Sequence, residues 1–279
     1  MGVRRAVTAG IGAPHAHCAL DEKVESCAGL PALILDQSRT SAVVEVSVSS
    51  NRMATLCDLA LQISRLEVAH PMRVAVDGRT ASGKTTLSDE LAELIERSGR
   101  PVIRTSIDGF HRPKAERYAR GRFSARGYYD DARDLSAVRT LLLEPLAPGG
   151  DRLYRTASFD LERDLAIAQP SKLAPIDAVL VVDGTFLQRP ELRDHWDIVI
   201  FVETSRGISD ARGLGRDQDR LGEQIAMKVY AERYGPAFDL YEETCAPART
   251  ADVVFNNDDV DHPTVRFRRG GRLSPDRHC

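Results

Sequence analysis

The 279-residue sequence holds no apolar run that approaches the roughly 18 residues needed to cross a bilayer. Near the start, Arg4 and Arg5 precede a weakly apolar stretch, but Gly10, Gly12, Pro14, His15 and His17 interrupt it, which argues against a secretory leader. Ala6 stands where myristoylation at Gly2 would want Ser or Thr. A surplus of one charge is also missing. Lys and Arg total 38 against 41 Asp and Glu, and a net charge of −3 gives no general pull toward nucleic acid or a membrane surface. The five cysteines (Cys18, Cys27, Cys57, Cys245, Cys279) are scattered, odd in number and never spaced C-x-x-C, which predicts reduced thiols in a soluble, cytoplasmic protein. His15, His17, Cys18 and Cys27 lack the spacing and the second ligand pair of a zinc site. There is no internal repeat, no N-K-x-D guanine motif and no transporter-type L-S-G-G-Q.

What is present reads as one α/β domain of about 200 residues with some excess. Hydrophobic residues make up 42% and charged residues 28%, ordinary for a globular chain. Residues 1–52, rich in Ala and Ser, lack sustained helical spacing and are expected to form a loosely ordered extension interrupted by a strand-like run, Ala42 to Val48. Removing them is expected to leave stability and activity intact. From Met53 the apolar residues Leu56, Leu59, Ile63 and Leu66 recur at three and four, as on one face of a helix. Residues 53–265 form the predicted domain, and the basic, Gly-containing residues 266–279 are expected to be a disordered tail.

Within the domain, five short apolar runs are expected as strands: Arg73–Asp77, Val102–Ile107, Ala178–Asp183, Asp197–Val202 and Asp252–Phe255. The run through Ala178 is unbroken, which implies burial on both sheet faces. Leu87, Leu91, Leu94 and Ile95 mark the apolar face of a helix, with Gly99 as its stop. Asp134 or Ser136 can cap another helix carrying Val138, Leu141, Leu142 and Leu146. Alternating strands and helices predict a five-stranded parallel sheet flanked by helices on both faces.

Gly78-Arg79-Thr80-Ala81-Ser82-Gly83-Lys84-Thr85 fits G-x-x-x-x-G-K-[ST], between a predicted strand and a predicted helix. Such a loop curls so that successive N–H groups converge on phosphate oxygens at the positive end of the following helix. Lys84 is expected to serve the β- and γ-phosphates of ATP, and the Thr85 hydroxyl to ligate Mg²⁺. Thr86 closes the expected nucleotide loop. Asp183, ending an apolar strand, is placed to hold the Mg²⁺ shell; its plainer reading is a turn residue before Gly184. This is a P-loop NTPase fold by expectation.

A phosphate loop alone does not separate kinases from switches and motors. After the second strand comes Ser106-Ile-Asp108-Gly-Phe110-His111. An aspartate at a strand's C-terminal end sits where α/β sheets bind ligands, and there it can take a proton from an acceptor hydroxyl. From about Arg73 to Asn257 the chain resembles the uridine kinase and phosphoribulokinase family of P-loop kinases, through the phosphate loop Gly78 to Thr86, the D-x-F segment Asp108-Gly-Phe110, and Tyr128-Tyr129-Asp130-Asp131 in place of F-D-H-P. The resemblance implies that Asp108 is the general base and that Asp130 holds ribose hydroxyls. It also implies that Asp183-Gly184 is the family's acidic residue followed by Gly. Arg212, Arg216 and Arg220 fall in the region of its arginine-bearing lid, spaced by four so that they share one helical face. Their neighbours Asp210, Asp217 and Asp219 fit a solvated, salt-bridged face equally well.

Departures bear on the acceptor. His111 stands where uridine kinases often carry a Tyr, and Tyr154 matches a Tyr lining the pocket without the His that normally follows it. The basic stretch Arg112, Lys114, Arg117, Arg120, Arg122 and Arg126, with Tyr118 and Phe123 interleaved, is expected to border the acceptor pocket, with most of its side chains solvated. Tyr230, Tyr234, Phe238 and Tyr241 read as core packing. The resemblance implies an ATP- and Mg²⁺-dependent kinase acting on the 5′-hydroxyl of a nucleoside, uridine or cytidine. The alternatives are a kinase of another small hydroxyl compound, such as pantothenate or a sugar, and a nucleotide-binding regulatory protein without an acceptor. A small-molecule acceptor, no nucleic-acid or membrane partner, and room for a homo-oligomer complete the expectation.

Overall fold

The computed structural model of the chain describes residues 43–46 and 51–273. Residues 1–42, 47–50 and 274–279 lie outside the described part, and with them the readings made on His15, His17, Cys18 and Cys27 and on most of the expected extension.

In chain order the elements are β1 (Val43–Val46), α1 (Arg52–Arg65), β2 (Met72–Gly78), α2 (Lys84–Arg97) and β3 (Val102–Ser106). Three short helices follow, α3 (Lys114–Arg117), α4 (Ala125–Asp130) and α5 (Leu135–Val138). Two small ribbons come next, built from β4 (Leu153–Tyr154), β5 (Phe159–Asp160), β6 (Leu165–Ala166) and β7 (Lys172–Leu173). The chain then returns to the main sheet with β8 (Val179–Gly184) and β9 (Ile198–Glu203), runs through α6 (Arg206–Leu221), α7 (Glu223–Lys228), α8 (Gly235–Cys245) and α9 (Pro247–Thr250), and ends with β10 (Val253–Asn256) and β11 (Thr264–Arg268).

The main sheet has the order β1-β11-β10-β9-β2-β8-β3. All five expected strands are present as β2, β3, β8, β9 and β10, and every pairing among them is parallel. β11 adds to β10 antiparallel, and β1 adds to β11 antiparallel. The sheet is therefore wider than the five strands expected. Side chains alternate across it with period two. Val74, Val76, Val179 and Val181 meet Leu56, Leu59 and Ile63 of α1 and Leu87, Leu91 and Ile95 of α2 on one face. Ala75, Leu180 and Val182 pack with Phe186, Phe238 and Tyr241 on the other. Each fully buried aliphatic side chain of this kind is worth about 1.5–3 kcal/mol.

Both expected boundaries of the domain move outward. The tail expected from Arg266 begins as strand: in β11, Val265 and Phe267 point into the core while Thr264 and Arg268 face water. The basic residues hid that alternation. Leu273 is buried as well. At the other end, Val43–Val46 pairs with β11, and Arg52 donates from Nε to Glu90 at 3.0 Å and from Nη1 to Asn257 Oδ1 at 3.0 Å. A cut after residue 52 thus removes a strand of the sheet and a tether to the body. The expected helix stop matches: α2 ends at Arg97, Ser98 is its C-cap and Gly99 takes φ +92°. Of the two candidate caps, Asp134 is the one used, accepting from Ala137 N at 3.0 Å.

Candidate active site

The C-terminal ends of β2, β3 and β8 deliver the phosphate loop, Asp108 and Asp183 to one cleft of about 570 Å³. That convergence follows from parallel topology, since neighbouring strands then end on the same side.

In the loop, Gly83 precedes α2 with φ +94°, and a Cβ there would stand 2.4 Å from Asn257 Nδ2. Both conditions select glycine. The same amide donates to Ser82 O at 2.8 Å, and Thr204 Oγ1 donates to that carbonyl at 3.2 Å, so the ends of β9 and β10 hold the loop from behind. Lys84 is buried and donates from Nζ to Arg79 O at 2.6 Å. Burial lowers its pKa to about 8, against the opposing pull of Asp183, Asp77 and Asp108. Thr80, Ala81, Gly83, Lys84, Thr85 and Thr86 line the cleft. Arg79 does not: its guanidinium lies 4.4 Å from the centre of the Phe238 ring and 3.4 Å from Glu242. Gly78 and Ser82 serve the loop through the backbone.

Thr85 Oγ1 donates to Asp183 Oδ2 at 2.8 Å. The other carboxylate oxygen is buried and accepts no hydrogen bond, its nearest cation being Arg104 Nη1 at 2.6 Å. A hydroxyl and a carboxylate side by side fit the oxygen-only preference of Mg²⁺.

Asp108 sits on a 3₁₀ turn, Ile107–Phe110, started by Ser106, whose hydroxyl accepts from Asp108 N at 3.3 Å. Arg133 Nη2 donates to Asp108 Oδ1 at 2.8 Å. Asp108 is exposed to the cleft; partial desolvation there raises the carboxyl's pKa, but Arg133 and neighbouring groups outweigh it and hold Asp108 below the ordinary carboxylate value. Asp108 is therefore ionised at neutral pH. His111 donates from Nδ1 to Asp108 O at 2.9 Å, and burial followed by the charge of Arg133 lowers its pKa to about 4, which leaves the ring neutral. Arg133 was not anticipated from the sequence. Its position comes from a backbone bridge between His111 and Arg133, a pairing of two loops that no local pattern announces.

Other expected residues divide. His111 and Tyr128 line the cleft. Asp130 does not: Arg126 Nε donates to it at 2.6 Å and Arg120 Nη1 at 2.9 Å, on the outer side of α4. The basic stretch supplied its own countercharge. Tyr154 is also off the cleft, buried in the core at the root of the β4–β7 ribbon. Of the basic stretch, Arg117, held by Asp164 at 2.7 Å, and the interleaved Tyr118 reach the cleft, while its other basic residues do not. Arg212, Arg216 and Arg220 all line it from α6. Arg212 also ties α6 to Asn257 O and Asp258 O, both at 2.9 Å. Arg216 pairs with the buried Asp217 at 3.0 Å, and Tyr230 donates to the same carboxylate at 2.9 Å. The close approach of Tyr230 needs Gly213, where a Cβ would stand 2.1 Å from the phenol oxygen. Among the aromatic residues read as core, Tyr230, Phe238 and Tyr241 are buried, whereas Tyr234 borders the cleft.

Asp77, at the end of β2, was also missed. It is fully buried, accepts from Gly78 N at 2.8 Å and Gln188 Nε2 at 3.0 Å, and receives the Tyr241 hydroxyl. It anchors the start of the phosphate loop to α8.

A strand-loop-helix phosphate cradle, a paired hydroxyl and carboxylate beside it, and an ionised aspartate in the same cleft define a P-loop kinase. The chain belongs to the phosphoribulokinase / uridine kinase family, whose model matches residues 74–261. It is 30% identical over 187 residues to uridine-cytidine kinase B of Dictyostelium discoideum, covering 66% of this chain and 74% of that one. It is 25% identical over 198 residues to a uridine kinase of Deinococcus deserti, covering 70% and 92%. The solved structure of "a Possible Uridine Kinase from Bacillus stearothermophilus" superposes with a TM-score of 0.57 at 25% identity, over 73% of this chain and 96% of that one. The protein is an ATP-dependent small-molecule kinase. Among the described residues, no helix is long and apolar enough to cross a membrane.

Proposed function

We propose that the protein transfers the γ-phosphoryl group of ATP to a hydroxyl of a small acceptor, with Asp108 as the base. The observation that carries this reading is the Asp108–Arg133 pair, which keeps a carboxylate charged in the cleft that holds Lys84. A base that is already ionised orients the acceptor hydroxyl and receives its proton as the new P–O bond forms.

Lys84 and the loop amides would neutralise the β- and γ-phosphates, and Arg216 and Arg220 of α6 would approach them from the opposite wall. Thr85 and Asp183 would hold Mg²⁺, which supplies Lewis-acid neutralisation of phosphate charge when bound. Most of the work is positioning and charge stabilisation rather than covalent chemistry.

The relatives, a uridine-cytidine kinase and a uridine kinase, favour a nucleoside acceptor, with transfer to the 5′-hydroxyl of uridine or cytidine. The make-up of the acceptor wall favours a second reading, a different small hydroxyl compound. Asp130 and Tyr154, the residues expected to grip ribose and line the base pocket, both lie off the cleft. The test is a panel of acceptors incubated with ATP and Mg²⁺, with ADP release and the phosphate ester both measured. Turnover of a hydroxyl acceptor that disappears in Asp108→Asn supports the reading. ATP hydrolysis without any ester formed would overturn it.

A further inference from the structure

Three arginines line the acceptor half of the cleft, and all are nearly buried: Arg117 at 7% exposure, Arg133 at 8% and Arg233 at 7%. Burying a cation is costly unless it is paired and its donors are used. Arg117 meets that condition through Asp164 and through Arg112 O, the latter at 2.9 Å. The other two do not. Arg133 gives one nitrogen to Asp108, while its Nε and Nη1 are buried without a hydrogen-bond partner. Arg233 gives Nη1 to Arg122 O at 2.6 Å, its Nε is likewise unpartnered, and among the described residues no carboxylate pairs with it. Both guanidinium groups lie against the Tyr128 ring, 5.2 and 4.8 Å from its centre, and Arg233 lies 4.8 Å from the Tyr118 ring as well.

Aromatic faces stabilise a guanidinium but leave its N–H edge free. The unused N–H donors, Nε and Nη1 of Arg133 and Nε of Arg233, match the oxygens of a carboxylate or phosphate. A neutral nucleoside would leave the charge of Arg233 uncompensated in the cleft. We propose that the acceptor bears an anionic oxygen group, a carboxylate or a phosphate ester, in addition to the hydroxyl that is phosphorylated, and that Arg133 and Arg233 receive that group. The proposal rests on the kinase reading above and narrows its acceptor to a hydroxy acid or a sugar phosphate. Arg133 then has two roles: one nitrogen keeps Asp108 charged, and the others locate the acceptor beside it.

The test uses the full chain saturated with a non-hydrolysable ATP analogue and Mg²⁺, so that added anions cannot occupy the phosphate loop. Calorimetry then measures binding of matched pairs: glycerate against glycerol, pantothenate against pantothenyl alcohol, ribose 5-phosphate against ribose, with uridine alongside. At least one anionic member is expected to bind about 100-fold more tightly than its neutral partner, because a site built for a charge rejects the analogue lacking it. Whether the carboxylates or the phosphate ester win identifies the anion. Arg233→Met and Arg133→Met are each expected to weaken that binding about 10- to 100-fold, the effect of losing charge-assisted hydrogen bonds. Arg233→Lys keeps the charge and guards against a variant that merely misfolds. It should bind about tenfold more weakly than the parent, and unchanged affinity would remove Arg233 from the site. Uridine binding more tightly than every anionic member, or no anionic member binding at all, would overturn the proposal. Failure of the ATP analogue itself to bind would instead bring down the kinase reading beneath it.

Discussion

Arg133 Nη2 donates to Asp108 Oδ1 across 2.8 Å, joining two loops 25 residues apart at the mouth of the phosphate cleft. The pair keeps the carboxylate charged and fixes where it points, two properties a general base needs at once. Asp108→Asn preserves the shape of that contact and removes the basicity. Its kcat is expected to fall about 10²- to 10⁴-fold. ATP affinity should stay within about threefold, since Asp108 is hydrogen-bonded to Ser106, His111 and Arg133 and not to the phosphate loop. A kcat that stayed near the parent value would take Asp108 out of the reaction.

Gly83 is held between its own backbone and Asn257. Gly83→Ala forces a Cβ to 2.4 Å from Asn257 Nδ2 at φ +94°. We expect a loss of about 1–3 kcal/mol in stability and weaker ATP binding, because the same backbone forms the cradle. Adding Asn257→Ala relieves the contact, so the double variant should be more stable than the sum of the two single changes. Thermal or urea melts of the four proteins decide it; strict additivity would show that the contact is not the cause.

On the proposed reading, Thr85 and Asp183 would serve nucleotide binding through the metal. Asp183→Asn and Thr85→Val should weaken Mg²⁺-ATP binding by about tenfold or more. Binding of ATP in EDTA should change little in either variant. Equal losses with and without metal would assign the pair to loop structure instead.

Asp197, at the start of β9, accepts from Arg73 N at 2.9 Å, from Arg73 Nε at 3.0 Å, and contacts His70 Nε2 at 3.1 Å. Burial raises its pKa, but the hydrogen bonds from Arg73 win and hold it below the ordinary carboxylate value. A lowered folded-state pKa contributes stability that is fully present above the unfolded value and is lost as pH falls through the folded one. Asp197→Asn should therefore cost about 1–3 kcal/mol near neutral pH. The gap to the parent should narrow below about pH 4. Urea melts at pH 7 and pH 3 measure it, and a gap independent of pH would rule out the ionised carboxylate as its source.

Asp130 offers a control. With Arg120 and Arg126 as its partners and no place on the cleft wall, Asp130→Asn should leave kcat/KM within about threefold of the parent. A rise of acceptor KM beyond tenfold would return Asp130 to the role of hydroxyl holder that the motif suggested.

The residues that could be read in advance share one property: their role depends on neighbours in sequence. The phosphate loop is a contiguous run, and its strand and helix are announced by apolar periods of two and of three to four. Asp108 and Asp183 end strands, so their arrival at one edge follows from parallel pairing alone. Arg212, Arg216 and Arg220 share a helical face by arithmetic. The parallel core of the sheet was legible for the same reason. β11 was missed because its outward arginines masked a two-residue alternation.

What sequence could not decide was competition for partners. Asp130 and Arg133 lie three residues apart, and each is a plausible site residue in isolation. Folding gave the first to Arg120 and Arg126 and carried the second to Asp108. Local pattern specifies the backbone and the residues it carries to the cleft. Which charges neutralise one another, and which donors are left over for a ligand, is settled only when distant loops meet, because electrostatic pairing depends on distance in space and not along the chain.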